Sequence, residues 1–132
     1  MYLGKVKQNV SNFIKNKLGI NVDNYNISLK TDDVRKIFKD HGSEKTEISR
    51  GQVPITESDF LNIPEIINNP DVISQEGTSQ QGKPAIKFEK NINGNNVVVT
   101  YVSDKHNNLE LQTMYKFKNN KKRDSATALH EN

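Results

Sequence analysis

The sequence has no cysteine, so no disulfide can staple the fold and no thiolate can serve as nucleophile or metal ligand. No apolar run approaches the roughly 18 residues that a membrane-spanning helix requires. The opening Met1-Tyr2-Leu3-Gly4-Lys5 lacks the long apolar stretch of a signal peptide. Hydrophobic residues are only 33% of the chain and the mean hydropathy is -0.80, which predicts a modest core under a wet surface. There is no glycine-rich phosphate loop and no Gly-x-Ser-x-Gly elbow. His41, His106 and His130 stand far apart without metal-ligand spacing, so neither a metal site nor a cofactor is expected. What remains is a chain of 132 residues, suited to one domain with one core. The domain is therefore expected either to be cytoplasmic or to be delivered by other machinery.

Charge is informative in its distribution rather than its total of +3. Residues 1 to 22 hold Lys5, Lys7, Lys15 and Lys17 and no acid, and Lys116, Lys118, Lys121, Lys122 and Arg123 form a second cluster. Two basic clusters can attract a phosphate backbone, with an affinity that falls as salt rises. The bland explanation is that these lysines solvate a helix face and a tail.

Val6, Val10, Phe13, Ile14 and Leu18 recur at helical spacing, and Gly19 suits the left-handed residue that closes a helix. Ile20 to Leu29 reads as a connector. A second helix is expected from Thr31, with Asp32 and Asp33 complementing its dipole, Val34, Ile37 and Phe38 buried, and His41-Gly42 at its end. Ser43 to Val53 is loop-like. Thr56-Glu57-Ser58-Asp59 resembles a capping box, and Pro64 opens a short helix stopped by Asn68-Asn69-Pro70. From Asp71 the period changes to two: Val72-Ile73, then Ala85 to Lys90, the turn signal Asn93-Gly94, Val97 to Val102, and a last strand from Leu109. In that last strand Leu109, Leu111, Thr113, Tyr115 and Phe117 are expected on one face, with Glu110, Gln112, Met114 and Lys116 on the other. The fold class is therefore α+β, with N-terminal helices packed on a four-stranded antiparallel meander. The expected division is a helix and connector over 1–27, a main domain over 28–118, and a basic, polar, flexible tail over 119–132. The close at Ala128-Leu129-His130-Glu131-Asn132 reads as though cut from a longer protein.

Asp40-His41-Gly42, Ser49-Arg50-Gly51-Gln52-Val53-Pro54-Ile55-Thr56, Asp59-Phe60, Ile63-Pro64-Glu65-Ile66-Ile67, Pro70-Asp71-Val72-Ile73 and Leu109 to Lys116 occur in a characteristic order. Together, over roughly residues 28 to 118, they resemble the phage Barnase–EndoU–colicin–RelE-like nuclease domains found at the C-termini of phage MuF-type head proteins and in polymorphic toxins. That resemblance implies the same helices-then-sheet fold and metal-independent cleavage of RNA. It also implies catalytic positions at His41, Arg50, Thr113 and Tyr115, and substrate-binding positions at Gln52 and Lys116. The partners it implies are RNA, with transfer RNA among the candidates, a cognate immunity protein, and a phage head or portal protein as the parent chain.

Cleaving RNA at its 2′-hydroxyl needs a base, an acid and cations for the charge growing on phosphorus. An imidazole exchanges protons near neutrality, and His41 at a helix C-terminus feels a negative dipole end. The fixed fork of Arg50 matches a phosphate. Thr113 and Tyr115 can donate hydrogen bonds, whereas Lys116 points to the other face of its strand unless a bulge intervenes. Each has an ordinary alternative. His41 can be a C-cap residue, Arg50 can pair with Glu44 or Glu47, and Gln52 can serve a loop backbone. Thr113 and Tyr115 can be core-edge residues, Asp32 and Asp33 serve the helix dipole, and His130 lies in the tail. The leading functional class is a metal-independent endoribonuclease effector. The alternative is a non-catalytic module that binds nucleic acid or packs in a phage head.

Overall fold

The computed structural model describes residues 1–41 and 52–118, apart from the side chains of Phe38, Asp40 and His41. Arg50, the loop expected up to Gly51, the tail from 119 with Lys121, Lys122, Arg123 and His130, and the His41 imidazole lie outside the described residues. Chain order runs β1 (Tyr2–Lys5), α1 (Gln8–Leu18), β2 (Asn26–Ser28), α2 (Thr31–His41), β3 (Gln52–Val53), α3 (Glu57–Leu61) and α4 (Ile63–Asn68). Then come β4 (Val72–Thr78), β5 (Pro84–Asn91), β6 (Asn95–Ser103) and β7 (Asn108–Phe117). The class is α+β as expected, with helices early and an antiparallel β4-β5-β6-β7 meander late.

The sheet is wider than that meander. Its order is β1-β2-β7-β6-β5-β4, with β3 also on β7. β2, inside the stretch read as a connector, runs parallel to the start of β7, with Asn26 to Ser28 opposite Asn108 to Glu110. β3 lies antiparallel to the end of β7, setting Gln52 opposite Phe117 and Val53 opposite Lys116. These added strands are too short to show a period in the sequence. They exist because β7 offers a second hydrogen-bonding edge, and buried backbone groups must find partners.

Local chemistry sets the helices. In α1, Val10 and Ile14 are fully buried, and Gly19 at φ 70° closes the helix by donating to the Lys15 carbonyl at 3.0 Å. Val6 is buried too, but in the short link between β1 and α1. At α3 the Asp59 carboxylate accepts the Thr56 N–H at 2.8 Å and the Thr56 hydroxyl at 3.1 Å, the acid half of a capping box. Asn68 stitches α4 to the N-terminal segment, accepting from the Lys7 N–H at 2.8 Å and donating to the Lys5 carbonyl at 3.0 Å. Ile14, Ile37, Ile63, Ile66 and Ile67 from the helices meet Ile27, Ile86, Phe88, Val98, Leu109 and Met114 from the sheet in one core.

The last strand departs from the expected alternation. Leu111 pairs with Thr100 and Thr113 with Val99, so β7 spends one residue more than β6 and bulges at Gln112. A one-residue slip sends every later side chain to the other face. Leu109 and Leu111 are buried in the main core, and the next core residue is Met114, fully buried. Thr113, Tyr115 and Phe117 therefore do not share a face with the leucines. Tyr115 and Phe117 pack against Ala85, Val97 and Val99, a separate cluster on the other side of the sheet.

The turn expected at Asn93-Gly94 joins β5 to β6, with φ 51° and 127° at the two residues. A Cβ on Gly94 would lie 2.7 Å from the Phe117 carbonyl oxygen and 2.9 Å from Lys116 Cε. Gly94→Ala is thus expected to cost about 1–3 kcal/mol, read as a lower urea midpoint with unchanged slope. Tyr25 is buried, its hydroxyl donates to Asp104 Oδ1 at 2.6 Å, and burial followed by that carboxylate pushes its pKa up to about 12. Folding thus favours the neutral phenol. Its contribution is complete below the ordinary tyrosine pKa of about 10 and is lost as pH rises from there through about 12. In denaturant melts across this range, Tyr25→Phe should flatten the alkaline loss of stability.

Candidate active site

Pairing registers lay out the sheet face opposite the helices row by row. One row holds Gln52, Phe117 and Asn95, the next Tyr115, Val97 and Glu89, and the third Thr113, Val99, Lys87 and Ser74. Apolar Ala85, Val97 and Val99 form its floor, with Tyr101, Tyr115 and Phe117 half-buried over them. The rings of Tyr115 and Phe117 meet edge-on at 86°, with centroids 5.7 Å apart.

On this floor sits a charged group that no sequence motif singles out. Lys87 Nζ is 3.0 Å from Glu76 Oε1 and 3.9 Å from Glu89 Oε2. Glu89 is 7% exposed, and its other oxygen accepts from Asn95 Nδ2 at 2.9 Å. Burial alone would lower the Lys87 pKa, but Glu76 and Glu89 outweigh it and hold the ammonium above its usual range. For Tyr115, burial pushes the phenol up. Lys87 pulls it down, Glu76 and Glu89 push it up again, and the net shift is upward. This face therefore presents an ammonium, two carboxylates and a phenol whose raised pKa keeps it protonated and able to donate. The signal for Lys87 and Glu89 lay in the alternation of Ala85 to Lys90, which sets two charges on one face of an interior strand, where charge is seldom buried without partners.

The structure divides the sequence-derived candidates. Thr113, Tyr115 and Gln52 come together on the face opposite the helices, in neighbouring rows. Among the described residues, buried Gln52 Oε1 has no hydrogen-bond partner, nor has Asn95 Oδ1 in the same row. Lys116 faces the helices, its Nζ 3.2 Å from Asp59 Oδ1, and both side chains are largely buried. The bulge leaves Lys116 on the face opposite Tyr115 (neighbours in a strand always part). His41 is the last residue of α2, as expected, and α2 packs beside β7. Among the described residues, no group of three or more His, Cys, Asp or Glu side chains converges to hold a metal ion.

A family model described as phage-Barnase-EndoU-ColicinE5/D-RelE like nuclease3 matches residues 4–124. The chain belongs to this nuclease family. The match takes in α1 and β2 as well as the stretch that carries the resemblance. Neither the curated proteins nor the solved structures contain a significant match. Membership in the nuclease family makes nucleic acid the substrate class, and no described helix is long and apolar enough to cross a membrane.

The Lys116–Asp59 pair ties the end of β7 to the α3 cap, so its loss should register first in stability. Lys116→Met is expected to lower stability by about 1–3 kcal/mol, because the Asp59 carboxylate keeps its cap but loses its buried counter-charge. Paired denaturant melts of Lys116→Met, Asp59→Asn and the double variant would show coupling between the two positions.

Proposed function

We propose that this member of the nuclease family is an endoribonuclease that uses the RNA's own 2′-hydroxyl as nucleophile and needs no metal ion. The observation that carries the reading is the sheet face away from the helices in a nuclease-family domain. There Thr113 and Tyr115 stand as hydrogen-bond donors beside the Lys87 ammonium. In this reaction the 2′-oxygen bonds to phosphorus as the bond to the 5′-oxygen breaks. The 2′-proton goes to a base, and an acid protonates the departing 5′-oxygen. We assign both proton transfers to His41, whose neutral imidazole takes the 2′-proton and, as imidazolium, passes it on to the departing 5′-oxygen, and the phosphate clamp to Arg50. Thr113 and Tyr115 donate to the phosphate oxygens, and Gln52 contacts the neighbouring nucleotide. The raised Tyr115 pKa suits a donor that stays protonated throughout the neutral range. The same reading makes the cytoplasm of a target cell the site of action, reached through a phage head protein or a delivered toxin. A cognate immunity protein is then the expected partner.

Purified protein incubated with RNA in excess chelator should yield shortened strands with 2′,3′-cyclic phosphate ends. An oligonucleotide with a 2′-deoxy sugar at the cleaved position should stay intact. His41→Ala should lower kcat about 100-fold or more, and Tyr115→Phe about 10-fold with unchanged folding. RNA that is bound but keeps its length would overturn the reading in favour of a non-catalytic nucleic-acid-binding module. Cleavage abolished by chelator would overturn its metal independence.

A further inference from the structure

The Lys87 ammonium sits between two carboxylates of unequal freedom. The Glu89 side chain is 9% exposed, belongs to an interior strand and is held through its second oxygen by Asn95 at 2.9 Å. The Glu76 side chain is 44% exposed and comes from the part of β4 where its register with β5 shifts. Its 3.0 Å contact with Lys87 is a surface ion pair, worth little because water competes for both partners. Lys87 is 23% exposed and lies one strand from Val99, the direct partner of Thr113, so its Nζ opens onto the face that Thr113 and Tyr115 line.

We infer that Lys87 is a phosphate-contacting residue of this face and that Glu76 is its resident counter-ion, displaced into water when a nucleic-acid phosphate takes its place. Glu89 stays, and keeps the ammonium fixed. A carboxylate and a phosphate oxygen make the same charge-assisted contact at the same distance, so the exchange needs no movement of the backbone. Loss of the weak Glu76 pair costs little, whereas a phosphate held by neighbouring donors gains from the whole face. Glu76 therefore sets a threshold: it screens the ammonium from casual anions and yields to a polyanion that also engages Tyr115 and Thr113. This inference rests on the proposed ribonuclease site but concerns binding, which can be measured without turnover.

The test uses a fluorescent 2′-O-methyl oligoribonucleotide, which blocks attack by its own 2′-oxygen, titrated against the full chain over a range of salt. Lys87→Met should weaken binding about 10-fold or more and reduce the slope of log affinity against log salt by about 0.7, the share of one phosphate on a single strand. Lys87→Arg should restore most of the affinity. Glu76→Gln changes an exposed side chain and is not expected to disturb folding. It should tighten binding about two- to fivefold, the range that a surface ion pair implies. Unchanged or weaker binding in Glu76→Gln would overturn the exchange. An unchanged salt slope in a folded Lys87→Met protein would overturn the phosphate contact. If the parent chain binds in this Lys87- and Glu76-dependent way but leaves ordinary RNA uncut, the inference holds and the ribonuclease reading falls. If it cuts RNA and Lys87→Met binds as before, the reverse is true.

Discussion

The display of side chains on this sheet depends on the extra residue that β7 carries at Gln112 relative to β6. A strand has only two faces, and its side chains alternate between them without slack. With the additional residue, Leu109, Leu111 and Met114 all reach the helical side, and Thr113 and Tyr115 are released to the opposite one. Without it, Met114 would face away from the core and the hydroxyls would press into the isoleucines of α1 and α4. Bulges recur beside functional surfaces because they re-aim side chains at small cost to the ladder. The segregation of apolar core and polar face in this chain follows from that local irregularity.

The polar face owes its electrostatics to where it lies. Lys87 and Glu89 occupy adjacent rows of an interior strand, over a floor of alanine and valines, so their charges are only partly solvated. Charges in such a setting must satisfy one another, and Asn95 completes the carboxylate's set. Burial, more than these charges, pushes the Tyr115 phenol up, against the pull of Lys87. Lys116, one residue further along, faces the other way and holds the cap of α3. Two adjacent residues of one strand thus sit on opposite sides of the sheet, in settings of different chemistry.

Much of the frame was legible in the sequence. The helical spacing of Val10 and Ile14, the Gly19 stop, the Thr56–Asp59 cap and the Asn93-Gly94 turn are local signals, and local signals survive into structure. The nuclease resemblance was carried by ordered motifs, and a family match over most of the chain upholds it. What could not be read was non-local. β1 and β2 are short and acquire strand geometry only from partners distant in sequence, β2 from β7 and β1 from β2. The bulge left one trace, the spacing of two and then three between Leu109, Leu111 and Met114, which a strict alternation overrides. Lys87 and Glu89 resemble ordinary surface charges until their strand is known to lie inside the sheet. Of the sequence-derived candidates, Gln52, Thr113 and Tyr115 meet on one face and Lys116 does not.

The parallel pairing of β2 with β7 joins residues 26–28 to 108–110, and β3 joins 52–53 to 116–117. Of the described strands, the one that fills the middle of the sheet is therefore the last to be made. Everything made before it must wait with unpaired edges, and closing so long a loop is slow compared with forming a hairpin. The face that gathers Thr113, Tyr115 and Lys87 has no existence in a nascent or truncated chain that stops short of β7. For a domain of a nuclease family, this topology withholds the assembled surface until β7 itself has been translated.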